Sequence, residues 1–191
     1  MEDSKKFDPK KLEKLNNPER LTTMSPDLIW QKLSLKDPRV LVDIGAGTGF
    51  FAVPFSRKMR GGKVYACDIS DTMVRWMNEN LSTDVRGAVV PLMMEETKVP
   101  LDSGIADLVY MINLHHELES PAAILKESLR LLKKGGKLMI IDWKKEQTPE
   151  GPPLEIRVTR EAIVSDMRAA GFRNIVTHAD LPYNHLVVGE R

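Results

Sequence analysis

The chain has 191 residues, 42% of them hydrophobic and 29% charged, enough apolar content for one sizeable core and enough charge for solubility. Its 28 basic and 27 acidic residues leave a formal net charge of +1, so nothing draws it generally to nucleic acid or to an anionic membrane. The single cysteine, Cys67, excludes an intramolecular disulfide and a multi-cysteine zinc site. No apolar run approaches the roughly 18 residues of a membrane span, and the start, MEDSKKFDPKKLEKL, has no apolar signal-peptide core; the expected compartment is the cytoplasm.

Residues 1–26 are polar and Lys-rich, broken by Pro9, Pro18 and Pro26. Asp8 followed by Pro9 predicts a short helix from about Lys10 to Leu15, and Ser25 followed by Pro26 predicts another to Leu33. Beyond Pro38 the pattern changes to alternating strands and helices. Arg39 to Ile44 reads as a buried strand running into Gly45-Ala46-Gly47-Thr48-Gly49, and the apolar stretch Phe50–Phe55 opens a helix ending near Gly61-Gly62. Lys63 to Asp68 is a second strand, followed by a helix from Ser70-Asp71 to about Leu81 and a short strand around Val85 to Val90. Ala106 to Ile112 is an apolar strand. Pro121 to Leu132 is helical, stops at Lys133-Lys134-Gly135-Gly136, and gives way to a strand from Lys137 to Trp143. Thr159 caps a helix that Gly171 ends, and Asn174 to Ala179 and His185 to Val188 are strands joined at Pro182. Strand–helix alternation predicts an α/β domain with a mainly parallel sheet, and the closing pair predicts an antiparallel hairpin at one edge.

Ligands of such sheets bind at the carboxyl ends of the strands, where the chain carries Asp43-Ile44-Gly45-Ala46-Gly47-Thr48-Gly49. Alternate glycines turn the chain sharply and let a ligand press against bare backbone. Seen alone, such a loop is also what a tight strand-to-helix turn requires. Three neighbours point further. Phe50 stands where a dinucleotide loop has a third glycine, which disfavours pyrophosphate. Asp43 repels phosphate and attracts an ammonium. Asp68 ends the second strand, where an acid chelates ribose hydroxyls. A ribose-bearing cation without phosphate, S-adenosylmethionine, fits all three.

These motifs resemble those of the class I S-adenosylmethionine-dependent methyltransferases: VLVDIGAGTGFFAVPF (Val40–Phe55), Asp68, Glu95-Glu96, DLVYMINLHHEL (Asp107–Leu118) and LLKKGGKLMIID (Leu131–Asp142). The likeness runs from about residue 38 to the end and is nearest to the small methyltransferase-11-type enzymes, which include ubiquinone/menaquinone-type C-methyltransferases. It implies a Rossmann-like, doubly wound, mainly parallel seven-stranded sheet in residues 38–191. Separately, residues 1–26, with Phe7, Leu12, Leu15, Leu21 and Met24, are expected to fold over the cofactor as a helical lid that excludes water, the alternative being a docked or frayed tail with no role in binding. The likeness also implies that Gly45, Gly47 and Gly49 line the methionine part of the cofactor near Asp43, and that Asp68 holds the ribose. Ile69 and Met73 flank the adenine, though core packing accounts for Met73 equally well. Glu95 or Glu96 replaces the family's aspartate at the adenine amino group, and Asn113 and Leu114 face the sulfonium.

Methyl transfer from a sulfonium mainly needs alignment, with a base only where the acceptor must lose a proton early. His115 and His116 are the catalytic candidates, set against a bracing role for His116. A metal site with Glu117 is not expected, because adjacent histidines project differently. Arg157 and Tyr183 are candidates for contact with the acceptor, a surface role being the ordinary fate of such an arginine. The expected partner is a small-molecule methyl acceptor, with neither nucleic acid nor membrane. The alternative is a module that binds S-adenosylmethionine without catalysis, and a nicotinamide-dependent oxidoreductase is opposed by the glycine spacing and by Asp43.

Overall fold

Residues 12–191 are described by the computed structural model. Three short helices come first: α1 (Leu12–Leu15), α2 (Arg20–Thr23) and α3 (Pro26–Leu33). The predicted cap Asp8, with Pro9, Lys10 and Phe7, lies outside the described residues. Helix α2 was not expected, because four residues are too few to display a helical period. Helix α3 forms as predicted, with the Ser25 hydroxyl accepting from the Leu28 amide at 3.4 Å and Pro26 in the first turn.

The strands are β1 (Val40–Ile44), β2 (Lys63–Asp68), β3 (Val89–Met93), β4 (Ala106–Ile112), β5 (Leu132–Trp143), β6 (Arg173–His178) and β7 (Asn184–Glu190). Between them run α4 (Ala52–Lys58), α5 (Asp71–Asn80), α6 (Pro121–Leu131) and α7 (Arg160–Ala170). The seven strands lie in the order β3-β2-β1-β4-β5-β7-β6. β1 through β5 pair in parallel, while β7 inserts antiparallel between β5 and β6. This is the Rossmann-like doubly wound sheet with a C-terminal antiparallel hairpin. Chain order reverses between β1 and β4, so a crevice opens beyond Ile44 and Ile112.

Two boundaries differ from expectation. β3 begins at Val89 because Val85 sits buried in a turn that Gly87 completes at φ 90°. β5 begins at Leu132 because the two glycines bulge the strand without ending it: Ala106 pairs with Leu132, and the register then shifts so that Leu108 pairs with Lys137.

Alternation along the strands sorts side chains onto two faces. Leu41, Ala66, Tyr110 and Met139 pack against α3, α4 and α5, whereas Val42, Val109, Leu138 and Ile140 pack against α6 and α7. Phe55 anchors the first layer; its ring lies 5.2 Å from Tyr110, edge-on, and 5.8 Å from Trp30. The ring is fully buried, so Phe55→Ala leaves a cavity under β4. Urea denaturation should show a loss of about 3–5 kcal/mol.

Candidate cofactor and catalytic site

The site starts with the end of β1. Gly45, Gly47 and Gly49 take φ values of +72°, +56° and +72°, a region that residues with a side chain enter at a cost. At Gly45 the requirement is also one of space, since a Cβ would come 2.7 Å from the Leu114 side chain. The loop is tied to β2: the amides of Gly45 and Ala46 both donate to the Cys67 carbonyl at 2.9 Å. Asp68 completes the link. One of its oxygens accepts from the Gly47 amide at 2.7 Å and the other from the Ser70 amide at 2.9 Å, at the start of α5.

Asp43 and Asp68 therefore sit at the ends of adjacent strands, 3% and 8% exposed. Burial lifts the Asp43 carboxyl to about 8; the neighbouring Tyr110 hydroxyl opposes the shift, the Asp68 charge adds to it, and Arg20 opposes it. Burial also raises Asp68, against the amides of Ser70, Gly47 and Ile69. Tyr110 and Arg20 do not offset the burial of Asp43, and the Thr48 hydroxyl on the same pocket is buried without a hydrogen bond among the described residues. A buried acid and an unpaired hydroxyl behind the glycine loop fit a ligand that brings an ammonium.

Beyond Asp68 the edge is apolar. Ile69 and Met93 are 41% and 45% exposed, and Met93 pairs in register with Asp68. Met73 is instead buried at 3% exposure with Met77 one turn on, so the exposed walls are Ile69 and Met93. Glu95 and Glu96 are both exposed in a tight turn closed by the Glu95 amide on the Lys98 carbonyl at 3.0 Å.

Past β4, Asn113 has φ +58° and its amide donates to the Ile141 carbonyl at 2.7 Å. Its side-chain oxygen accepts from Asn184 Nδ2 at 2.9 Å. Leu114 lies over Gly45, so this corner closes on the glycine loop. A 3-10 turn, His115–Glu117, follows. The two histidines part company there. His115 Nε2 lies 3.2 Å from the Asp166 carboxylate on α7, a bracing contact. His116 Nδ1 lies 2.7 Å from Asp142 Oδ1, and its amide donates to Oδ2 at 2.9 Å. Asp142, at the end of β5, is fully buried and accepts from the Trp143 amide as well. Nδ1 thus carries the proton and Nε2 is left as the basic atom, 3.7 Å from Glu117 Oε1. Burial works to lower the His116 pKa, but the hydrogen bond and charge of Asp142, with Glu117, outweigh it and hold the imidazole above its ordinary range. Among the described residues no three metal-ligating side chains converge.

Arg157 departs from expectation. It is 5% exposed, and its guanidinium donates to the carbonyls of Pro152, Lys144, Glu146 and Glu150 and to the Thr148 hydroxyl. It stacks 5.4 Å from the Trp143 ring. It clamps the loop after β5. Tyr183 is half-buried at the start of β7, where its carbonyl accepts from the Lys144 amide at 2.9 Å, beside that same loop. Sequence reasoning missed Asp142, Asn184 and Arg20. Asp142 had a signal, an acid ending an apolar strand at the sheet's carboxyl edge.

A cleft that pairs buried carboxylates with a bare glycine loop and apolar walls, at the switch point of a doubly wound sheet, defines a nucleoside-cofactor-binding α/β protein. Residues 42–140 match the methyltransferase domain family of type 11, about half of the chain. The chain belongs to that family, among the class I S-adenosylmethionine-dependent methyltransferases. It is similar to a SAM-dependent methyltransferase of Aquifex aeolicus, with 33% identity and a TM-score of 0.89 over 97% of this chain and 99% of that one. Human N-acetylserotonin methyltransferase in complex with SAM shares the fold alone, at 17% identity and a TM-score of 0.77 over 96% of this chain and 55% of that one. The ubiquinone/menaquinone biosynthesis C-methyltransferase UbiE of Laribacter hongkongensis is 27% identical over 67% of this chain and 54% of its own length. That of Cupriavidus taiwanensis is 30% identical over 57% and 45%. The chain spans about half the length of these curated relatives.

The buried acid at the end of β1 has a measurable consequence. Raising its pKa from 3.8 to about 8 means that the folded chain holds a proton there that the unfolded chain releases. The resulting stability is full below the unfolded value and is lost as pH rises through the folded one. Denaturant titrations from about pH 5 to 9 should show stability falling, and less steeply in Asp43→Asn.

Proposed function

We propose that this protein transfers a methyl group from S-adenosylmethionine to a small-molecule acceptor, with His116 as the general base. The observation that carries the catalytic part is the buried Asp142–His116 pair, which leaves Nε2 as the basic atom of a residue two positions past Leu114. The same reading makes residues 1–191 a single methyltransferase domain, without nucleic acid as a partner and resident in the cytoplasm. No helix among the described residues is long and apolar enough to cross a membrane.

In this reading Asp68 receives the ribose hydroxyls with oxygens already oriented by two amides. Asp43 takes the ammonium of the cofactor's amino-acid end, aided by Gly45, Gly47 and Gly49. Ile69 and Met93 enclose the adenine, and Glu95 or Glu96 meets its amino group. Asn113 and Leu114 stand at the sulfonium. When bound, the cofactor supplies a methyl group already activated by positive sulfur, so the chain's own contribution is alignment and exclusion of water. Asn113 is pinned for that purpose by Asn184 and by the Ile141 carbonyl. His116 takes one proton at Nε2 from the acceptor's O–H or C–H, and Asp142 stabilises the imidazolium that results. His115, tied to Asp166, holds the turn against α7. Tyr183 and the clamped 144–152 loop border the side from which an acceptor approaches, and the names of the UbiE relatives make a ring carbon a first acceptor to try. A purely binding module has no use for a buried acid–imidazole pair in the turn that follows Leu114.

Mass spectrometry of S-adenosylhomocysteine formed with a panel of phenols, hydroquinones and amines tests the activity. His116→Asn should lower kcat by about 10²–10⁴ with cofactor affinity unchanged, and the acid limb of kcat/KM should lie above the ordinary histidine value of 6.5. Full activity in His116→Asn would remove the base. Cofactor binding without turnover on any acceptor would favour the binding module.

A further inference from the structure

The pocket behind the glycine loop carries a cation that the proposed function leaves unused. Arg20, the first residue of α2, reaches into it beside Asp43, Gly47 and Thr48. Its guanidinium lies 4.9 Å from the Phe50 ring centroid and 5.1 Å from that of Phe51. Those two rings begin the stretch after the glycine loop and fix the cation over the loop. Nη1 donates to the Leu15 carbonyl, and among the described residues Nε and Nη2 make no hydrogen bond and no carboxylate is in salt-bridge contact. A cation taken out of water calls for an anion, and the planar fork of an arginine matches a carboxylate with two parallel bonds.

A carboxyl faces the same pocket. Asp43 is buried at the end of β1, and the Thr48 hydroxyl, without a hydrogen bond among the described residues, lines the pocket as well. A carboxyl and a guanidinium within one small pocket are complementary to a group that carries an ammonium and a carboxylate on one carbon. Burial depresses the Arg20 pKa to about 10, opposed by Glu150 and Asp43, so the cation persists at neutral pH.

Resting on the cofactor reading above, we propose that Arg20 binds the α-carboxylate of S-adenosylmethionine opposite Asp43, so that the helical segment 12–23 completes the cofactor site. Arg20 lies outside the span that matches the family, residues 42–140. Leu15 supports the arrangement, for its side chain sits where a Cβ on Gly47 would meet it at 3.2 Å. Leu15 of α1 and Arg20 of α2 thus both lie against the glycine loop.

The test is calorimetric titration of the full chain and of Arg20→Ala and Arg20→Lys with two ligands. S-adenosylhomocysteine has the amino-acid end; 5′-methylthioadenosine keeps the nucleoside and the sulfur and lacks it. Arg20→Ala should weaken S-adenosylhomocysteine at least about tenfold and leave 5′-methylthioadenosine within about twofold. Arg20→Lys, which keeps charge without the fork, should fall between. Hydrogen exchange of residues 12–23 should slow with S-adenosylhomocysteine and not with 5′-methylthioadenosine. Equal loss of both ligands would make Arg20 a structural tie of α2 and overturn the proposal, as would unchanged affinity for S-adenosylhomocysteine. A wild-type chain that binds neither ligand overturns the cofactor reading, and this one with it.

Discussion

Everything at the working end of this molecule depends on the hydrogen bond from the Gly47 amide to the Asp68 carboxylate. It joins the loop leaving β1 to the end of β2, and the other oxygen of the same carboxylate holds the start of α5. One acid thereby fixes two strand-to-helix turns and is itself held in a single orientation. Its burial is costly, since the carboxyl loses water and its pKa is raised, and its charge adds to the shift at Asp43. A fold optimised for stability alone has no reason to keep both. An acidic pair of this kind suits a ligand that carries positive charge.

The same logic extends along the carboxyl edge of the sheet. At or just past the ends of β1, β2, β4 and β5 stands a polar residue with a partner beside it: Asp43 beside Tyr110, Asp68 held by amides, Asn113 by Asn184, Asp142 by three donors. The interior-facing parts of those strands are apolar throughout, so the polarity is confined to one end. Arg157 has a comparable duty at the rim. By spending its donors on loop carbonyls it gives residues 144–152 a defined course next to Tyr183. Positioning is the main lever of an enzyme whose cofactor brings its own activation, and rigid attachment of each group to a strand end supplies it.

Much of this was legible in the sequence because the relevant physics is local. The Gly45–Gly49 loop, its leading Asp43 and the terminal acid Asp68 announce themselves by spacing, and the alternation of strands and helices followed from apolar periods. The misses involve partners distant in the chain or elements too short to have a period. The adjacent His115 and His116 look alike in sequence, yet their acids lie 51 and 26 residues away, and only folding gives one the half-buried Asp166 and the other the buried Asp142. Arg157 read as a loop cation because its partners are backbone carbonyls, which sequence does not mark. Met73 has the spacing of a core residue with Met77 and proves to be one, while Met93 was hidden in a strand whose register was displaced. Arg20 sits on a single helical turn, below the reach of any pattern.

The most direct measurement is a crystal structure of the protein with S-adenosylhomocysteine. The account predicts ribose hydroxyls on Asp68, the amino group at Asp43, adenine between Ile69 and Met93, and the sulfur at the Asn113-Leu114 corner, open toward His116. A nucleoside bound elsewhere, or one seated with its sulfur turned away from that corner, would contradict it.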